Sequence, residues 1–261
     1  MGTGLYLKRP PLWTPSQVAT IGWHDATDAA TIIQADAAGR VSQWTDKSSN
    51  NNHWLQAVAV NQPTTAADSI NGLNVIGFDG IAYYLMMGSN PFGATVDDAA
   101  IFCVLNIKTK LNSVLFSLTF DGVRRWQAHC PWSSGYVILD VDGISGDRRI
   151  QYDPGWDENK IVLMGFIGSL TSHVQQIWED GVMKAGNAEG YVGYSVPTSG
   201  PPSLGRGTTE YDACSIGEFI VINGTVSEDT RVKIEGYLAW KWGLVDGLHV
   251  DHPYKLSPPF V

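Results

Sequence analysis

The sequence predicts an all-β fold, a two-sheet antiparallel sandwich carrying one C-terminal helix. Three observations predict it. Apolar, β-branched and aromatic runs of strand length recur along the chain, and five of them end in Asp-Gly or Asn-Gly. Those dipeptides supply the positive φ that two-residue hairpins require. No long helical pattern alternates with the runs, which disfavours a parallel α/β sheet, and a single helical pattern stands near the end.

The elements follow in order. Met1 to Pro11 mixes Gly, Pro and apolar residues without a period, so residues 1–13 are an extended arm and residues 14–261 one sandwich domain. Thr14-Pro15-Ser16-Gln17 is a capping box with proline at the first helical position, which starts a short helix ending near Thr20. Strands are expected at Val75–Phe78, Ala100–Ile107, Val114–Phe120, Gly135–Val141, Lys160–Gly168, His173–Trp178 and Ile216–Ile222. Their turns are Asp79-Gly80, Asp121-Gly122, Asp142-Gly143, Asp180-Gly181 and Asn223-Gly224. A helix spans about 228–242, capped by Ser227, with Glu228 and Asp229 at its positive end and Gly243 to stop it. Ile234, Tyr237, Leu238 and Trp242 share one face, so they are its core side. His252-Pro253-Tyr254 and Pro258-Pro259 form an extended tail that packs back on the body.

Composition excludes several function classes. Of 261 residues, 44% are apolar and 16% charged, enough for a large core, and ten Trp with ten Tyr favour β-structure and half-wet contact surfaces. The net charge is −9 with no run of Lys or Arg, which disfavours a nucleic-acid groove. No apolar stretch approaches the ~18 residues of a membrane span, and Met1 to Pro11 lacks the apolar core of a signal peptide. Cys103, Cys130 and Cys214 show neither metal spacing nor a disulfide framework and are expected as buried free thiols. His249-Val250-Asp251-His252 has too few neighbours for zinc, and Gly205-Arg206-Gly207 lacks the Lys-Ser/Thr of a phosphate loop.

Several strings carry a family resemblance. They are Leu12-Trp13-Thr14-Pro15, Trp23-His24-Asp25-Ala26, Val41 to Ser48, Asn52-His53, Asn61-Gln62-Pro63, Asn71-Gly72-Leu73, Phe78-Asp79-Gly80, Ile234 to Leu244, and His252-Pro253-Tyr254. With them the chain resembles the laminin-G-like, or concanavalin A-like, jelly-roll domains of bacteriophage virion proteins. Residues 90–215 match only as generic sandwich strands, and Ser48-Ser49-Asn50 stands where relatives have Ser-Gly-Asn. The resemblance implies a virion location, with assembly in the host cytoplasm. It also implies calcium held by loop oxygens, for which Asp46, Asn50, Asn51 and Asp79 are candidates by type. No other cofactor is expected.

Glucanases share this fold, so glycosidase chemistry is one option for the chain. Retaining enzymes need two carboxylates about 5–5.5 Å apart, and the family's glucanases set three acids at alternate positions of one strand. Asp140 and Asp142 alternate, but Ile144 takes the third place; Glu179 and Asp180 are adjacent; Glu210 and Asp212 are followed by Cys214. The expectation is therefore a protein that is not an enzyme. For carbohydrate binding, Trp132, Tyr136, Trp156 and Tyr211 lie in turn-like stretches, where exposed rings stack on sugars. Trp23, Trp44, Trp178, Trp240 and Trp242 are assigned to the core.

Leu5, Tyr6 and Leu7 form an apolar cluster beside Lys8 and Arg9, so the arm is expected to anchor the chain on a partner subunit. The leading function is a structural virion protein, a capsid decoration or minor capsid subunit. The alternative is a carbohydrate-binding adhesin of a head or tail fibre, and the third reading is a glycoside hydrolase. Expected partners are other virion subunits, copies of the chain itself in a homo-oligomer, and a host-surface glycan.

Overall fold

A computed structural model of the chain describes residues 10–119, 123–187 and 191–261. The arm residues Leu5, Tyr6, Leu7, Lys8 and Arg9 lie outside the described residues. Strands β1 (Gly22–Asp25), β2 (Ile32–Gln34), β3 (Val41–Trp44), β4 (Trp54–Leu55), β5 (Thr64–Ile70), β6 (Leu73–Gly77) and β7 (Leu85–Met87) come first. Next are β8 (Thr95–Val96), β9 (Asp98–Ile107), β10 (Phe116–Thr119), β11 (Arg125–His129), β12 (Val137–Val141) and β13 (Arg149–Tyr152). Last are β14 (Lys160–Ser169), β15 (Val174–Glu179), β16 (Val182–Gly186), β17 (Val196–Pro197), β18 (Ser203–Leu204), β19 (Cys214–Asn223) and the helix α1 (Glu228–Trp242).

Every pairing is antiparallel. One sheet runs β16-β15-β14-β9-β19-β6-β5, with β1 also on β19; the other runs β13-β12-β11-β10-β18-β7-β4-β3-β2, and β8 pairs with β17 alone. The fold is the predicted two-sheet jelly-roll sandwich with a C-terminal helix. Trp44, Trp54, Phe116, Trp126, Phe166 and Phe219 fill the space between the sheets.

A second apolar layer lies behind the eight-stranded sheet. There Ile234, Leu238, Ala239 and Trp242 of α1 pack on Phe102, Val104, Leu163 and Ile220. Ser227 Oγ accepts from Thr230 N (3.2 Å), and Gly243 ends the helix at φ 67°. The helix thus covers the outer face of one sheet, leaving the outer face of the nine-stranded sheet as the other broad surface.

The tail packs back as expected: Trp13 N donates to Pro259 O (3.0 Å) and Val261 N to Pro11 O (3.0 Å). Trp240, expected in the core, is 39% exposed, because its ring lies on the far side of α1 with Nε1 donating to Tyr254 O (2.8 Å). The N-terminal helix is one turn of 3-10 helix, Pro15–Gln17, closed by the predicted capping box.

The turn dipeptides divide. Asp180-Gly181 makes a two-residue hairpin, with Glu179 opposite Val182 and φ of 49° and 78°. Asp79-Gly80 does not: Asp79 Oδ1 accepts from the amides of Ile81, Ala82 and Tyr83 as the chain crosses between sheets. Asp142-Gly143 opens a longer connection to β13, and Asn223-Gly224 leads into α1. Asn71-Gly72, quoted only for the resemblance, is a two-residue hairpin joining β5 to β6. Asp121-Gly122 lies outside the described residues.

Candidate functional site

Alternation along β11 places Trp126 and Ala128 in the core, so Arg125, Gln127 and His129 point outward. The strand registers extend this into a row across the nine-stranded sheet: Arg149, Asp140, Gln127, Ser117, Ser203, Met86, Leu55, Gln43 and Ile33 stand opposite one another in turn. Asp140, Gln127, Ser117 and Ser203 are polar yet buried, because the loops at 111–114 and 205–211 lie across them. A Cβ on Gly207 would stand 3.3 Å from Gln127 Nε2 and 2.8 Å from Val114.

Asp140 is the electrostatic centre of the β11–β13 end. Arg149 donates from Nε to Oδ1 (2.6 Å) and from Nη2 to Oδ2 (2.8 Å); Arg125 donates from Nε (2.9 Å) and Nη2 (2.6 Å) to Oδ2. Burial works to raise this carboxyl, but the hydrogen bonds of Arg149 and His129 and the charges of both arginines outweigh it and hold it at about 2. His129 Nδ1 donates to the Ser113 carbonyl (2.8 Å), and its Nε2 stands 3.5 Å from Asp140 Oδ2. Trp132 meets the His129 ring edge-on, with centroids 4.9 Å apart.

Of the sequence-predicted rings, Trp132 and Tyr136 are half-buried and share a tight turn in which Trp132 N donates to Tyr136 O (2.8 Å). Tyr211 lies on the other side of the 205–211 loop, 6.4 Å from Tyr84, whose ring carries the Arg206 guanidinium at 4.0 Å. Trp156 is not exposed. Its indole N–H donates to Glu179 Oε1 (3.1 Å) and its ring packs edge-on to Tyr152, so a buried partner draws it inside. The structure therefore brings Trp132 and Tyr136 to the β11–β12 side of the face and Tyr84 and Tyr211 to its middle, beside β7, and removes Trp156. The sequence alone does not single out Arg125, Arg149, His129 or Tyr84, and Arg206 stands out in it only within Gly205-Arg206-Gly207, which is not a phosphate loop. The doublets Arg124-Arg125 and Arg148-Arg149, and the alternation Arg125-Trp126-Gln127-Ala128-His129, were the available signals.

The calcium candidates do not converge. Asp46 is occupied by protein donors: Oδ1 accepts from Trp23 N and Ser48 N, and Oδ2 from Ser48 Oγ and Asn52 N. Asn50 Nδ2 donates to Thr20 O (2.7 Å), Asn51 holds φ 57° in the same loop, and Asp79 serves the separate turn after β6. Among the described residues no group of three His, Cys, Asp or Glu side chains is arranged to hold a metal ion.

Two further acids are committed elsewhere. Glu179 accepts from Tyr152 and Trp156, and Asp212 is buried among Cys103, Cys130 and Cys214, three free thiols. The resemblance strings meet in another buried cluster. Glu218 accepts from Trp23 Nε1 (2.7 Å), Tyr237 OH (2.9 Å), Lys241 Nζ (2.6 Å) and Trp242 Nε1 (2.8 Å), while Lys241 and Lys47 both pair with Asp25.

Solved structures share this fold. A Trypanosoma rangeli sialidase in complex with 2,3-difluoro-KDN is 11% identical, with a TM-score of 0.55 over 91% of this chain and 37% of that one. An arabinofuranosidase complexed with arabinofuranosyl-α-1,2-xylobiose is 13% identical, and a GH54 α-L-arabinofuranosidase soaked with a cyclic sulfate inhibitor 15%. Each has a TM-score of 0.54 over 85% of this chain and 59% of its own length. At such identities the likeness is one of fold, and the chain spans only part of each neighbour. No family model matches the chain, and no curated protein matches it.

Proposed function

We propose that the chain is a non-catalytic carbohydrate-binding sandwich that takes glycans on the outer face of its nine-stranded sheet. The observation that carries this reading is the makeup of that face. A fixed arginine–aspartate clasp lies next to half-buried Trp132 and Tyr136, and Tyr84 and Tyr211 lie beyond the 205–211 loop. Few fixed polar groups beside flat rings are what sugar recognition uses, hydrogen bonds setting orientation and ring faces supplying contact. Fold neighbours that act on or bind glycosides support the same class.

Absence of turnover is supported by the state of the acids. Asp140 is pinned as a fully buried carboxylate by two arginines, Glu179 holds two buried donors, and Asp212 is sealed in the core. None is set up as the nucleophile or proton donor of a glycosidase. The test is a glycan array probed with the whole chain, together with a reducing-end assay on every glycan retained. Retention without cleavage supports the proposal; an array with no retained glycan, or cleavage of one, overturns it.

A second reading, a structural virion subunit, is favoured by the end-to-end resemblance of the sequence strings. They account for how the helix and tail are locked: Gly236 lies against Tyr254, and His252 Nε2 stands 3.2 Å from Glu235 Oε2. Quantitative mass spectrometry of purified particles decides it: many copies per particle support a decoration role, and complete absence removes it.

A further inference from the structure

We infer that two copies of this chain pair by exchanging arms, Leu5 and Leu7 of each copy filling an apolar groove on the other. The groove, of about 380 Å³, lies beside α1 and is lined chiefly by Leu12, Trp13, Tyr237, Trp240, Pro258 and Pro259. Its polar groups are already committed to the body. Tyr237 OH donates to Glu218 (2.9 Å), Trp240 Nε1 donates to Tyr254 O (2.8 Å), and Lys241 Nζ pairs with Asp25 (2.7 Å) and Glu218 (2.6 Å). Ring and methyl surface is what faces solvent, with Leu12 57% and Trp240 39% exposed. Such a surface suits an apolar segment of protein rather than a sugar.

The arm supplies that segment. In extended backbone Leu5 and Leu7 stand on one side, about 7 Å apart, with Tyr6 on the other and Lys8-Arg9 following at the rim. The arm's own groove is out of line with it. Trp13 N donates to Pro259 O and Val261 N to Pro11 O, so from Leu12 back to Pro10 the chain passes Val261 and leaves Pro258 and Pro259 behind. Pro10 and Pro11 fix φ at about −65° and have no N–H, and a residue before proline favours extended backbone, which opposes a reversal between Leu7 and Leu12. A second copy meets no such obstacle. Groove and arm root share one end of the molecule, so a two-fold axis there lets each copy serve the other and closes the assembly. Lys8 to Pro11 spans about 13 Å when extended, which gives the reach. The arm adds two cations and no acid to a chain of net charge −9, so charge does not oppose its approach. The helix side is used, and the outer face of the nine-stranded sheet stays free in both copies.

The test is sedimentation velocity on the full chain, with a circular dichroism spectrum of every variant to show that it is folded. Wild type should sediment as a dimer that dissociates on dilution. Leu5→Asp combined with Leu7→Asp should give a folded monomer, as should Leu12→Asp alone, which charges the exposed lip of the groove, and deletion of residues 1–9. A labelled peptide of residues 1–11 should bind the truncated chain, and bind its Leu12→Asp version at least tenfold more weakly. A monomeric wild type overturns the inference, and so does a dimer that survives loss of the arm. Equal binding of the peptide to both truncated forms overturns the assignment of the groove.

Discussion

Gly217 lies directly beneath Trp242: a Cβ built on the glycine would stand 2.5 Å from the indole. The relationship depends on a bulge in β19, where the register with β9 shifts between Ile216 and Glu218. Ile216 faces the core between the sheets, and after the bulge Glu218 turns to the helix side while Phe219 returns inward. Gly217→Ala forces the ring out of a packed layer, for which overpacking costs about 1–3 kcal/mol. Urea denaturation should show that loss, and an unchanged midpoint would mean that the ring yields freely.

Glu218 is the buried acceptor that the bulge turns toward the helix. Burial pushes its carboxyl above the ordinary range, against the pull of Lys241. Glu218→Gln keeps the shape, removes the charge opposite Lys241, and cannot accept four donors. Breaking a buried pair by removing one partner typically costs about 3–5 kcal/mol. The expected result is a large fall in melting temperature with the far-ultraviolet spectrum retained just below the transition. A variant as stable as wild type would show that Lys241 is adequately served by Asp25.

Asp212 makes stability depend on pH. Burial raises its carboxyl to about 7 against the smaller pull of the Cys214 thiol and the Ala213 amide. Between about pH 4 and 7 the folded chain then holds a proton that the unfolded chain has released, so this group's contribution falls as pH rises through that window and is flat above it. Asp212→Asn should be more stable than wild type at pH 8 by a few kcal/mol and lose that advantage near pH 4. Parallel melting curves for the two proteins across this range would remove Asp212 as the cause.

Much of the fold was legible because its signals are local. The capping box at Thr14–Gln17, the 3.6-residue face of Ile234, Leu238 and Trp242, and the hairpin at Asp180-Gly181 each depend on neighbours in sequence. Asp-Gly by itself does not specify a hairpin: the dipeptide serves any tight turn, and at Asp79 the side chain instead caps three following amides. Trp156 looked like a loop ring, but its distant partner Glu179 decided its burial. The candidate site was legible only at its edges. Trp132, Tyr136 and Tyr211 sit on recognisable turns, whereas the row from Arg149 to Ile33 is assembled from nine strands whose order in the sheet departs from their order in the chain.

The most direct test of the account is a titration of the wild-type chain and of Trp132→Ala with a glycan retained on the array. Trp132 is half-buried and touches His129 at the edge of the face, so its removal should spare the core. The account predicts at least a tenfold loss of affinity, an unchanged melting temperature, and no reducing ends released by either protein. Unchanged affinity in the variant, or glycan cleavage by the wild type, would contradict it.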